Sequence, residues 1–193
     1  MPRACSTGLF LLSSLLFSFV VFAQEVSQDS RTTWEKYMTP SAVHQMISAS
    51  DGVWETYTSL WLEPAKEPVK SSGTCTMKMI LGGRYQESRF NGNFMGMPME
   101  GIGTLAYDNA KETFYSTWID NMGTGIMNME GKWDEPAKTI RFVGKSYDPM
   151  LGKDVVMKEN LKFADSNHQY LEMFMVDDGG NETKTMEIIF TRK

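Results

Sequence analysis

The sequence predicts an all-β fold: an antiparallel up-and-down meander of about ten strands closed into a barrel, led by a short N-terminal helix. Three observations carry that expectation. From Val53 onward the apolar residues recur with period two, so each segment has one apolar and one polar face. The breaks between segments are turn chemistry: Gly82-Gly83, Asn91-Gly92-Asn93, Asp108-Asn109, Asp134-Glu135-Pro136, Asp148-Pro149, Asp165-Ser166-Asn167 and Asp177-Asp178-Gly179-Gly180. No helical pattern stands between any two of these segments, so the connections are hairpins rather than crossovers. Closure follows because an open sheet would leave unpaired strand edges.

Taken in order, residues 1–23 read as a cleavable signal peptide. Arg3 supplies the positive start, Leu9 to Phe22 is apolar with a few serines, and Ala23 is the small residue before the cleavage site. The run is short for about 30 Å of hydrocarbon and no basic cluster follows it, so no stable membrane span is expected. The mature chain is therefore expected in the periplasm or medium. Residues 24–38 are polar and lack periodicity, which suggests a flexible tail. Residues 39–193 form a single β-barrel domain with its leading helix. Thr39 is a candidate cap, Pro40 suits a first helical position and Asp51-Gly52 is a stop. Ala42, Val43, Met46, Ile47 and Ala49 give that helix an apolar stripe. His44 lies beside the stripe, where a packed or orienting histidine is expected rather than a metal ligand, since the helix offers no partner ligands. Strands are predicted at 53–62, 74–81, 84–91, 99–107, 113–119, 125–133, 138–143, 154–163, 169–176 and 184–191.

Composition narrows the function classes. The 193-residue chain has a formal net charge of −5, so it carries no electrostatic footprint for nucleic acid. Cys5 lies in the leader and Cys75 then stands alone, which excludes an intrachain disulfide. Cys75 alternates with Thr74 and Thr76 and reads as a small buried hydrophobe. Methionine occurs 16 times, with Met77/Met79, Met95/Met97/Met99, Met127/Met129 and Met173/Met175 spaced by two. Thioether clusters suit Cu(I), yet that spacing puts each pair on one strand face, where adaptable side chains fill a core or line a pocket. The second reading is preferred.

Catalytic constellations are nearly absent. The two histidines are His44 and His168, the latter in a turn, and no phosphate-cradling loop, metal spacing or nucleophile elbow accompanies them. No cofactor is expected; haem on His168 lacks a second signal. The best acids are Asp120, which shares strand parity with Trp118, and Glu159, which alternates with Val155, Met157, Leu161 and Phe163. Glu187 falls one residue off the Met186/Ile188/Phe190 face. An acid aimed into a barrel would have its pKa raised by desolvation. The competing expectation pairs such acids with Arg84, Arg89, Arg141 or a lysine, or has them orient a ligand. Asn181-Glu-Thr183 fits a glycosylation sequon.

Gly52-Val53-Trp54, Leu81-Gly82-Gly83-Arg84-Tyr85, Gly96-Met97-Pro98-Met99-Glu100-Gly101, Tyr107-Asp108, Trp118-Ile119-Asp120 and Met186-Glu-Ile-Ile-Phe-Thr-Arg192 together resemble domain-of-unknown-function family 1579. Ala106 and Met99 depart from the pattern, where a glycine and an aromatic are expected. The resemblance spans about His44 to the C-terminus and implies a bacterial protein with no assigned activity. Gly52-x-Trp54 also resembles the opening of lipocalin-like (calycin) barrels. That resemblance implies that Arg192, from the last strand, covers Trp54 at one barrel end.

The leading functional expectation is a binding module that holds a small apolar or amphipathic ligand in its interior. Glu87, Tyr107, Trp118, Asp120 and Met129 are the candidate ligand-binding residues, chosen by strand position and motif. The alternatives are an enzyme that uses an inward acid such as Asp120, and a solid barrel whose loops contact an envelope partner. Nothing in the sequence fixes the oligomeric state.

Overall fold

The computed structural model describes residues 28–193; the expected leader and Cys5 lie outside the described residues. Two helices, α1 (Gln28–Met38) and α2 (Ala42–Ser48), precede ten strands. These are β1 (Gly52–Leu60), β2 (Val69–Ile80), β3 (Tyr85–Phe94), β4 (Met97–Asp108) and β5 (Thr113–Asp120). They continue with β6 (Met127–Asp134), β7 (Thr139–Asp148), β8 (Lys153–Phe163), β9 (His168–Val176) and β10 (Glu182–Arg192). Each strand pairs antiparallel with the next, and β1 pairs with β10 to close the barrel. Closure sets Trp54 opposite Arg192 and Leu60 opposite Met186. The only irregularity among the described pairings of β10 with β9 is a register shift between Lys184 and Met186.

The predicted alternation sets the faces. In β1, Trp54 and Thr56 are buried while Glu55 and Tyr57 are exposed. The outer face carries ion pairs such as Arg89–Glu87 at 2.7 Å and Arg141–Asp134 at 2.9 Å. Exposed pairs of this kind contribute little, typically about 0–1 kcal/mol. No helix among the described residues is long and apolar enough to cross a membrane.

The expected tail is helical from residue 28. Helix α1 buries no residue, so it has no apolar stripe for a sequence pattern to register. Asp29 in its first turn and Lys36 in its last complement the helix dipole, and Asn109 Nδ2 donates to the Thr39 carbonyl at 2.8 Å beyond its end.

Helix α2 is the expected apolar helix, although Ser41 rather than Thr39 is its N-cap. It lies across one end of the barrel. Ile47 is fully buried against Phe114, Met129, Ile140 and Phe142. His44 is packed, as expected: it accepts the Ser41 N–H through Nδ1 at 3.0 Å and meets Tyr107 edge-on at 5.9 Å. Burial lowers its pKa, favouring the neutral ring that can accept this bond.

The chain from α2 into β1 is tied down by side chains from distant strands. Gln86 Nε2 donates to the Ile47 carbonyl at 3.0 Å and to Asp51 Oδ1 at 2.9 Å, while Asp51 Oδ2 accepts the Met79 N–H at 2.9 Å. Trp54 Nε1 donates to the Ser50 carbonyl at 2.9 Å, and Gln169 Nε2 donates to Ser50 Oγ at 2.6 Å. Arg192 stacks over the Trp54 ring, 4.2 Å from its centroid, and donates to the carbonyls of Asp51, Ala49 and Ser166 at 2.6–2.7 Å. The Trp54–Arg192 closure is therefore present, with α2 as its cover.

Candidate functional site

Eight strands enclose an interior that side chains can just fill or that holds one small ligand, and the diameter grows with strand number. Ten strands therefore leave space unless the side chains are unusually large. Here the large buried side chains gather at the α2 end, in one group around Phe142 and Ile47 and another around Trp54, Phe90 and Phe190. The remaining interior is a cavity of about 280 Å³. It reaches the surface at the opposite end, where the exposed Val69 and Met95 lie in its wall. Most of the wall is apolar, including Phe90, Trp118, Phe142, Leu171, Met173 and Ile188.

The five residues singled out from the sequence separate cleanly. Trp118 and Asp120 line the cavity on β5. Trp118 Nε1 donates to Asp120 Oδ2 at 2.7 Å, and Asp120 Oδ1 accepts the Met122 N–H at 2.9 Å. Both oxygens of Asp120 are thus engaged in orienting the indole and the turn after β5. Glu87 is on the outer face, because Gln86, Ser88 and Phe90 take the inward positions of β3; its carboxylate holds Arg89. Tyr107 stands at the covered end, 4.8 Å from the Phe114 ring and beneath His44. Met129 is fully buried in the packed layer beside Ile47, and its neighbour Met127 is the methionine of β6 that lines the space. Of the five, the cavity wall brings together two.

The indole of Trp118 lies flat on β4 because residue 101 has no side chain. A Cβ there would fall 2.2 Å from Trp118 Cζ2 and 2.4 Å from Cη2. Gly101→Ala is expected to displace the ring, break its bond to Asp120 and destabilise the fold by about 1–3 kcal/mol through overpacking. Near-ultraviolet circular dichroism and a melting curve check this. Both unchanged would mean that ring and strand are not in contact.

The acid that reaches the interior most deeply is Glu159, midway along β8 between Phe142 and Met173 on the neighbouring strands. It is 5 % exposed, lines the cavity, and makes no hydrogen bond or ion pair with the described residues. Desolvation pushes its pKa up to about 7. The expected pairing with an arginine or lysine is not met at Glu159: Arg141 lies on the outer face with Asp134 and Asn160. It is met at Glu187, whose Oε2 is 3.0 Å from Lys184 Nζ. The sequence carries the signal, since Glu159 is one acid in a period-two run of apolar residues. Gln86 and Gln169 give the same signal in their strands and serve the covered end.

Cys75 is a free, buried thiol in the same wall, pushed up to about 12 by burial and so neutral. His168 is held at its turn by Asp165, 3.0 Å away, outside the cavity.

The sequence matches the model of a family described as "Protein of unknown function (DUF1579)" over residues 39–192. No curated protein matches it. Among solved structures, the fold is similar to that of Rv2717c from M. tuberculosis, with a TM-score of 0.60 and 13% identity, over 80% of this chain and 99% of that one. It is also similar to the S-type phycobiliprotein lyase CPES from Guillardia theta, with a TM-score of 0.52 and 11% identity, over 78% of this chain and 92% of that one. At these identities the likeness is one of fold.

Proposed function

The chain belongs to the DUF1579 family, and from that premise we propose that its lipocalin-like barrel binds one small, mainly apolar molecule in its interior. The observation that carries this reading is the cavity: about 280 Å³, with a largely apolar wall, closed by α2 at one end and reaching the surface at the other. Ligand pockets commonly occupy about 300–1,000 Å³, so the occupant is small. Trp118 and Asp120 form one side of its entrance half, and the methionines of the wall adapt to its shape. The same proposal has the protein act outside the cytoplasm, supported by the apolar run behind Arg3.

Native mass spectrometry of gently purified protein tests the reading. A fraction of the molecules is expected to carry a small adduct lost on denaturation, and small apolar compounds are expected to raise the melting temperature. At about one hundred times Kd, a ligand that binds only the folded state adds about 2.7 kcal/mol. A protein recovered empty and unmoved by such compounds would refute it.

A further inference from the structure

We propose that the ligand is a small amphiphilic amine, held by its ammonium at Glu159 with its hydrocarbon along the aromatic and methionine wall. This inference rests on the binding reading above and names the ligand's chemistry. The geometry of the cavity wall and the charge of the chain carry it.

Glu159 is more than nine-tenths buried, faces the cavity and has no partner among the described residues. A polar group so placed in native protein calls for something to complete it. The protein does not supply that complement: the cavity wall holds the acids Asp120 and Glu159 and no lysine, arginine or histidine. Asp120 is already bonded to Trp118 and Met122, which leaves Glu159 as the open acid. A carboxylate or phosphate ligand would meet like charge and no donor cation. An ammonium instead gains a charge-assisted hydrogen bond in a low-dielectric setting, stronger than a neutral one.

The aromatic part of the cavity wall suits a cation as well. Phe90, Trp118 and Phe142 all line the cavity, and aromatic faces attract cations by their quadrupole. The net charge of −5 favours the approach of a cation over that of an anion. The volume sets the size: about 280 Å³ admits a short hydrocarbon amine and excludes a large polycyclic or two-chain lipid.

Three probes of one length separate the possibilities: octylamine, octan-1-ol, which can accept a hydrogen bond from a protonated acid, and octanoate. Calorimetric titration near pH 8 is expected to give octylamine an affinity at least about ten-fold above that of octan-1-ol, with octanoate weakest. Glu159→Gln is expected to remove that advantage while leaving octan-1-ol within about three-fold, and a melting curve verifies that the variant is folded. In the wild-type protein, octylamine affinity is expected to rise from pH 6 to pH 8 as the acid ionises, while that of octan-1-ol does not. If octan-1-ol or octanoate binds as tightly as octylamine, or Glu159→Gln leaves octylamine unaffected, the amine assignment is overturned and the binding barrel stands. If none of the three binds the wild-type protein, both readings fall.

Discussion

Trp54→Ala is expected to cost about 3–5 kcal/mol, the range for deleting a fully buried large aromatic side chain. The ring is 0% exposed and packs with Cys75, Met77, Phe90 and Phe190. Its loss also frees the Ser50 carbonyl from the indole N–H and removes the face that Arg192 covers at 4.2 Å. Arg192 ties three carbonyls on segments far apart in sequence, so the damage spreads to the junction of α2 with the barrel. For a domain of this size each kcal/mol shifts the melting temperature by about 2–4 °C, which puts the expected drop at roughly 6–20 °C. Trp54→Phe keeps an aromatic face for the guanidinium and should lose less. Thermal melts followed by circular dichroism measure both. An alanine variant that melts within about 2 °C of wild type would show that this barrel end is held elsewhere.

That closure was legible through a resemblance: Gly52-x-Trp54 is similar to the opening of lipocalin-like barrels, which implies an Arg from the last strand over the ring. The strands were legible for a different reason. Period-two alternation and turn residues are local, so they can be read without knowing what each strand faces. Locality also explains the misses. The exposed α1 has no buried stripe and so no helical period. Strand β2 begins at Val69 and β7 runs to Asp148, each beyond the predicted bounds of 74 and 143.

The site was less legible than the fold, because a shift of one residue exchanges the two faces of a strand. Glu87 is one position from Gln86 and Ser88, and only the closed barrel fixes which of them face inward. Phe90, two and four residues along from those two, was the local indication of the inner face. Tyr107 has inward parity, yet its place is decided by α2 folding across that barrel end, a long-range event with no local signature. Trp118 and Asp120 were recoverable from shared strand parity and motif; the structure then sets Gly103 and Gly101 opposite them. Glu159 was visible as an acid among apolar residues, but its lack of a counter-charge depends on where every arginine and lysine points.

That missing counter-charge should appear as a pH-dependent loss of stability. Burial raises the Glu159 pKa from 4.5 in an unfolded chain to about 7 in the native barrel. Below about pH 4.5 both states hold the proton, and the group contributes nothing to the difference. Between that pH and 7 the unfolded chain has released a proton that the native protein still binds, so stability falls as pH rises. Above 7 the full cost is present, about 3 kcal/mol at 1.36 kcal/mol per pKa unit. Glu159→Gln keeps the shape and removes the ionisation. The variant is expected to be close to wild type near pH 4.5 and to melt about 6–12 °C higher near pH 8. The comparison isolates this one acid, because His44 and the carboxylates whose pKa values are lowered, Asp134, Glu135, Asp165 and Asp177, are common to both proteins. Parallel melting curves from pH 4.5 to 8 would mean that the Glu159 carboxylate is solvated or paired, and the amine assignment would lose its anchor. A gap that opens with pH and closes when octylamine is added to the wild-type protein would connect the buried acid to its ligand in one measurement.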